Sequence, residues 1–114
     1  MAIDWSEDIA VANLSDEPAL SEELSSLVQR VETADPDGTP NVVLNFGDVT
    51  YLNSSNIAQL LRMRTLLSGA GRRMKLCSVD DKVWSVFMVT GLDKVFDFTE
   101  NPAAAIASLQ LEGA

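Results

Sequence analysis

The segment spanning residues 45–57, NFGDVTYLNSSNI, delivers two adjacent hydroxyls, Ser54 and Ser55, to the expected start of a helix. Such hydroxyls can do two kinds of work. Asn53, Ser54 or Ser55 can each accept a hydrogen bond from an unpaired backbone N–H and so cap the helix, which is worth about 1 kcal/mol. A phosphate carried at the same place would meet the same unpaired N–H groups and the positive end of the helix dipole. The two roles are compatible, because different serines can serve them.

Little else in the chain assembles chemistry. There is no histidine, which excludes Ser-His-Asp and Cys-His catalysis and every His-ligated metal site. The single cysteine, Cys77, stands in an apolar run at residues 74–79 that reads as a buried strand, so it is expected as a small core residue and not a nucleophile. The carboxylate pairs Asp80-Asp81, Glu22-Glu23 and Asp35 with Asp37 fall at expected helix starts or in a turn, where capping and dipole effects account for them. Gly69-Ala70-Gly71 follows a helix instead of preceding one, so no glycine-rich phosphate loop is present. The expectation is a non-enzymatic chain with no metal and no cofactor.

Charge narrows the partners. The formal net charge of −9 argues against a nucleic-acid backbone or an anionic membrane, both of which need a basic surface. The acids crowd into the first half, where Arg30 is the only base before Ser54, whereas Arg62, Arg64, Arg72, Arg73, Lys75, Lys82 and Lys94 all come later. That asymmetry fits two solvated faces of opposite sign or an electrostatic docking surface. No apolar run approaches the ~20 residues that span a bilayer, and the first residues lack the basic flank and apolar stretch of a signal peptide. A cytoplasmic protein without membrane insertion is expected.

The elements that must position residues 45–57 can be read from periodicity. A chain of 114 residues has material for one domain, residues 1–114, burying roughly two-thirds of its unfolded surface. Extended candidates around Ile3–Trp5 and Ile9–Ala12, separated by Ser6-Glu7-Asp8, predict an edge hairpin. Pro18 then suits a helix start, with Leu20, Leu24, Leu27, Val28 and Val31 inward and Glu22 and Glu23 near the positive end. Residues 41–46 form a β-branched apolar run that predicts a central strand buried on both faces. The second helix carries Ile57, Leu60, Leu61, Met63 and Leu67 inward and stops at Gly69-Ala70-Gly71.

Residues 73–79 predict the next strand, and Asp80 or Asp81 caps a third helix whose inward stripe is Val83, Val86, Phe87 and Thr90. Residues 95–98 predict a last strand, and Asn101-Pro102 opens a last helix through Ala103, Ile106, Ala107 and Leu109. The alternation implies an α/β domain: a mixed, mostly parallel sheet of about four to five strands with about four helices. On the third helix Trp84 and Met88, four residues apart, share a flank turned away from the inward stripe. Either the last helix covers them through Leu109 and Leu111, or they form an exposed patch for a second partner or for self-association.

The order and spacing of these segments resemble the STAS family, the sulfate transporter and anti-sigma factor antagonist domains, and within it the free-standing antagonists. The resemblance rests on residues 42–57, an apolar strand running through a Val-Thr-aromatic-aliphatic loop into a serine pair at a helix start. It extends through residues 75–79, Val83, Val86, Phe87, Gly91-Leu92 and Val95-Phe96. It implies a protein-binding switch whose partner is an anti-sigma factor that is also a serine kinase, with Ser54 as the phosphoacceptor. The family's acidic residue after the early strand corresponds to Asp16 or Glu17. Asn53 and Asn56 stand where the family usually has Asp and Gly, a departure that favours the alternative of an unphosphorylated scaffold or the soluble subunit of a membrane transport system. Asn53, Ser55 and Asn56, together with Asp16 and Glu17, are then the expected partner contacts around Ser54.

Overall fold

The computed structural model describes residues 2–5 and 8–112, the side chains of residues 2–5 and of Pro36 excepted. Its strands are β1 (Ala2–Trp5), β2 (Ile9–Ser15), β3 (Asn41–Asp48), β4 (Met74–Cys77) and β5 (Asp97–Thr99). Its helices are α1 (Ala19–Thr33), α2 (Ser54–Gly69), α3 (Asp81–Val89) and α4 (Pro102–Glu112). The sheet order is β1-β2-β3-β4-β5, with β1 antiparallel to β2 and every other neighbour parallel. The hairpin connection through Ser6 and Glu7 lies outside the described residues.

The three parallel steps run in one direction across the sheet, and crossovers of one hand then place α1, α2 and α3 on one face, where their buried residues share a core. The side-chain alternation of β3 follows from that. Val42, Leu44 and Phe46 point into the larger core beneath those helices, whereas Val43 points the other way. There α4 covers a smaller cluster of Ile9, Val43, Cys77, Ala105 and Leu109. β3 is therefore central and buried on both faces, and the loop leaving it starts from the middle of the sheet.

Several local expectations shift. The last strand begins at Asp97, not Val95, because Leu92–Lys94 make a 3₁₀ turn in which Val95 and Phe96 N–H both donate to the Leu92 carbonyl. β4 ends at Cys77, before a Ser78 held at φ 59°. On α3, Val83 and Phe87 are buried, but Val86 is only half-buried and Thr90 is exposed, its hydroxyl donating back to the Val86 and Phe87 carbonyls. The cap of α3 is Asp80, which accepts from Val83 N–H at 2.9 Å. The inward face of α4 is Ala105 and Leu109 with Ile106 beside them, so Ala103 and Ala107 are exposed.

Candidate functional site

Ser54 is the first residue of α2 and is exposed, as is Ser55. The helix is capped by Asn53, not by either serine. Its side-chain oxygen accepts from Asn56 N–H at 2.8 Å, and the Asn56 side-chain oxygen accepts in return from Asn53 N–H at 3.0 Å. This is a reciprocal capping box with an asparagine at both ends. It satisfies one free N–H of the first turn and leaves those of Ser54 and Ser55 without a protein partner among the described residues.

Asn56 is consequently not a partner contact. Its side chain is 0% exposed, in register with Leu60, Met63 and Leu67 on the inward face of α2. A polar residue at that spacing gives no apolar signal, so periodicity placed Ile57 inward while the structure leaves Ile57 half-buried. Asn56 therefore acts on any surface function only by fixing where Ser54 sits.

The turn from β2 into α1 brings both early acids to this loop. Asp16 grips it directly, accepting from Thr50 N–H at 2.8 Å and from the Thr50 hydroxyl at 2.7 Å. Glu17 accepts from Ser21 N–H at 2.6 Å and from the Ser21 hydroxyl, and at 3.3 Å from the Asn53 amide. Asp16 and Glu17 thus both lie beside Ser54, one holding the loop and the other touching the residue before it. The next acid, Glu23, is buried on α1 and accepts from Ser15 N–H at 2.8 Å, tying the helix to the end of β2.

These bonds hold both carboxyls below their ordinary values. The Thr50 hydroxyl is the largest cause for Asp16 and the Ser21 hydroxyl for Glu17, each followed by the same residue's N–H. The Asn53 amide adds a smaller effect on Glu17. A folded pKa below the unfolded value stabilises above the ordinary 3.8 and 4.5, and that stabilisation is lost as pH falls through the lowered folded values. Urea unfolding followed between about pH 7 and pH 3 should therefore show stability declining below about pH 5, with a shallower decline in Asp16→Asn. An identical slope in the variant would mean that the Thr50 contact does not persist in solution.

Trp84 and Met88 lie on α3, whose buried residues Val83 and Phe87 belong to the larger core, whereas α4 packs on the smaller one. The cover expected from Leu109 and Leu111 is absent, since Leu109 packs on the opposite face and Leu111 is 78% exposed. Trp84 is instead half-buried edge-on against Phe98 of β5, with ring centroids 4.9 Å apart, and Met88 is 56% exposed. Cys77 is buried, and burial pushes its thiol pKa up, away from reactivity. Among the described residues no three His, Cys, Asp or Glu side chains converge to hold a metal, and no helix is long and apolar enough to cross a membrane.

The STAS domain family model matches residues 12–105, from β2 into α4. The chain belongs to the STAS family. Solved structures agree on the fold at low identity. An anti-sigma-factor antagonist (STAS) domain protein from Planctomyces limnophilus aligns with a TM-score of 0.80 at 19% identity, covering 96% of this chain and 97% of that one. A Ser-to-Glu variant of RsbS from Moorella thermoacetica aligns with a TM-score of 0.81 at 13% identity, covering 98% and 96%. The anti-sigma factor antagonist SpoIIAA in its unphosphorylated form aligns with a TM-score of 0.69 at 14% identity, covering 99% and 98%. This STAS domain thus has four parallel strands, an antiparallel edge strand and four helices, like its structural neighbours.

Proposed function

We propose that this STAS domain is a protein-binding regulatory module of the anti-sigma factor antagonist type, with Ser54 as its phosphoacceptor and an anti-sigma factor that is also a serine kinase as its partner. The observation that carries the reading is the exposed Ser54 at the first position of α2, beside a loop held by Asp16 and next to the Asn53–Glu17 contact. A serine there is presented at a fixed position on the surface. Phosphorylation would add close to two negative charges where Glu17 already places one. The free N–H groups of Ser54 and Ser55 can hold such a group in place, and the like charge of Glu17 makes the modified surface strongly anionic. A partner that tolerates neutral Ser54 is then repelled by the phosphorylated form. Among the structural neighbours, one is described as a serine-to-glutamate variant and another as an unphosphorylated form.

Incubation of the chain with ATP and an anti-sigma-type serine kinase from the same organism should place one phosphate on Ser54, read by mass spectrometry. Ser54→Ala should abolish it, and Ser54→Glu should weaken kinase binding at least tenfold. Phosphate found only elsewhere sinks the assignment. The buried Asn56 favours the second reading, a scaffold or transport-system subunit that is not phosphorylated, because a helix start locked from within needs no modification to be ordered. Under that reading Ser54→Glu leaves partner affinity unchanged.

A further inference from the structure

A cleft of about 360 Å³ opens at the end of α2 remote from Ser54, between the last turn of that helix, the start of β4 and the approach to β5. Arg64, Arg72 and Arg73 line it, with Asp97 as the one acidic residue of the lining and Val95 and Phe96 as part of its wall. Two of the guanidinium groups are anchored at the stem. Arg64 Nε donates to the Val95 carbonyl at 3.0 Å, and Arg72 Nε donates to the Thr39 carbonyl. A guanidinium carries five N–H donors, and among the described residues neither group gives its others to a protein acceptor. Arg73 pairs with Glu112 at 3.5 Å and is 57% exposed. Asp97 faces the buried Lys75 ammonium, also at 3.5 Å, which it shares with Glu112 at 3.0 Å.

A helix C-terminus ordinarily repels anions, because its free carbonyls make it negative. Here the nearest carbonyls are occupied. Gly71, at φ 72°, lets Arg72 N–H donate to the Leu67 carbonyl at 2.8 Å while Gly71 N–H donates to that of Ser68 at 3.0 Å. The same turn sends Arg72 and Arg73 into the cleft. Arg64, Arg72, Arg73 and Lys75 against the carboxylates of Asp97 and Glu112 leave this cleft net positive on a molecule whose net charge is −9. A concave site of that sign gathers small anions from solution.

We propose that this cleft binds a small phosphorylated molecule, its phosphate held by the terminal N–H groups of Arg64, Arg72 and Arg73. Forks arriving from separate elements suit a tetrahedral, multi-oxygen dianion, and anchored stems lose little freedom on binding. The volume exceeds that of a bare phosphate and leaves room for a sugar-sized body against Val95 and Phe96. The site is independent of Ser54 and of any kinase.

The test is an NMR titration of the full chain with pyrophosphate in one arm and ribose 5-phosphate in the other. Saturable amide shifts should cluster at residues 71–74 and 95–97, with a Kd of about 1 mM or tighter at low salt. Arg73→Gln should weaken binding roughly tenfold or more, the effect of losing a charge-assisted hydrogen bond. Its melting temperature should hardly move, since Arg73 gives up only an exposed ion pair. Tighter binding of ribose 5-phosphate identifies an organic phosphate as the ligand, and tighter binding of pyrophosphate shows that charge alone is read; either sustains the site. Shifts centred on residues 54–57, no saturation in either arm, or undiminished binding by Arg73→Gln overturns it.

Discussion

Phe87→Ala is expected to destabilise this STAS domain by about 3–5 kcal/mol, the range for truncating a buried phenylalanine. Phe87 is the one inward residue of α3 that meets three other rings. Its centroid lies 6.4 Å from Phe46, 5.8 Å from Phe96 and 5.1 Å from Phe98, all at edge-on angles. Aromatic pairs of this geometry add about 0.5–1.5 kcal/mol each beyond the area they bury. The three partners belong to β3, to the residue before β5 and to β5 itself, so the cavity opens where α3 is pinned across the sheet. Against a typical domain stability of about 5–15 kcal/mol, such a loss lowers the melting temperature by roughly 10–25 °C. Trp84 reports it conveniently, because its ring packs 4.9 Å from Phe98. Phe87→Leu keeps most of the volume and should cost less than about 2 kcal/mol. If both variants cost the same, the ring contacts that both remove account for the loss and filled space adds nothing.

The parts of this fold that were legible in the sequence are those whose signal is local. The apolar run of β3 bounded by turn residues marked a central strand, and Gly91 and the Asn101-Pro102 pair marked helix ends. The position of Ser54 was legible for the same reason, since a short linker from β3 leaves a serine pair nowhere else to go. What stayed hidden depends on tertiary partners. Thr90 fits the inward spacing of α3, yet its hydroxyl finds its own helix carbonyls at the surface. Lys75 falls in a run that reads as a buried strand, and its partner comes from far along the chain: α4 brings Glu112 to 3.0 Å of its ammonium. Trp84 was not covered by α4 because a fourth helix following three same-face crossovers crosses to the other face of the sheet. The start of β5 was displaced by a 3₁₀ turn whose residues carry no breaker after Gly91.

The asparagines around Ser54 follow the same division. Composition showed that Asn53 could cap; only the structure shows that Asn56 returns the bond from a buried position and that Glu17 touches Asn53. An aspartate at position 53 would face the Glu17 carboxylate, whereas the Asn53 amide donates to it. The Glu17 carboxylate thus lies 3.3 Å from the Asn53 amide, beside the start of α2.

Asn56→Gly is expected to cost about 1–2 kcal/mol and to loosen the start of α2. Glycine in place of asparagine lowers helix propensity by a few tenths of a kcal/mol. Losing the side chain also removes the bond to Asn53 N–H, worth about 1 kcal/mol, and empties a fully buried position. Asn53→Ala should cost about 1 kcal/mol as the loss of a cap. The two bonds close one ring, so each depends on the other holding Asn53 and Asn56 in place. The double variant should therefore cost less than the sum of the singles, by about 0.5 kcal/mol or more. Urea unfolding of the four proteins measures this directly, and strict additivity would show that the two bonds act separately. The same Asn56→Gly protein also separates the two functional readings. If a kinase must draw Ser54 out of the first turn, loosening that turn raises the rate of phosphorylation despite the lost stability. If the helix start is a fixed docking surface, the variant binds its partner more weakly and Ser54→Glu leaves affinity where it was. Faster phosphorylation with unchanged affinity supports the switch, and weaker affinity without phosphorylation supports the scaffold.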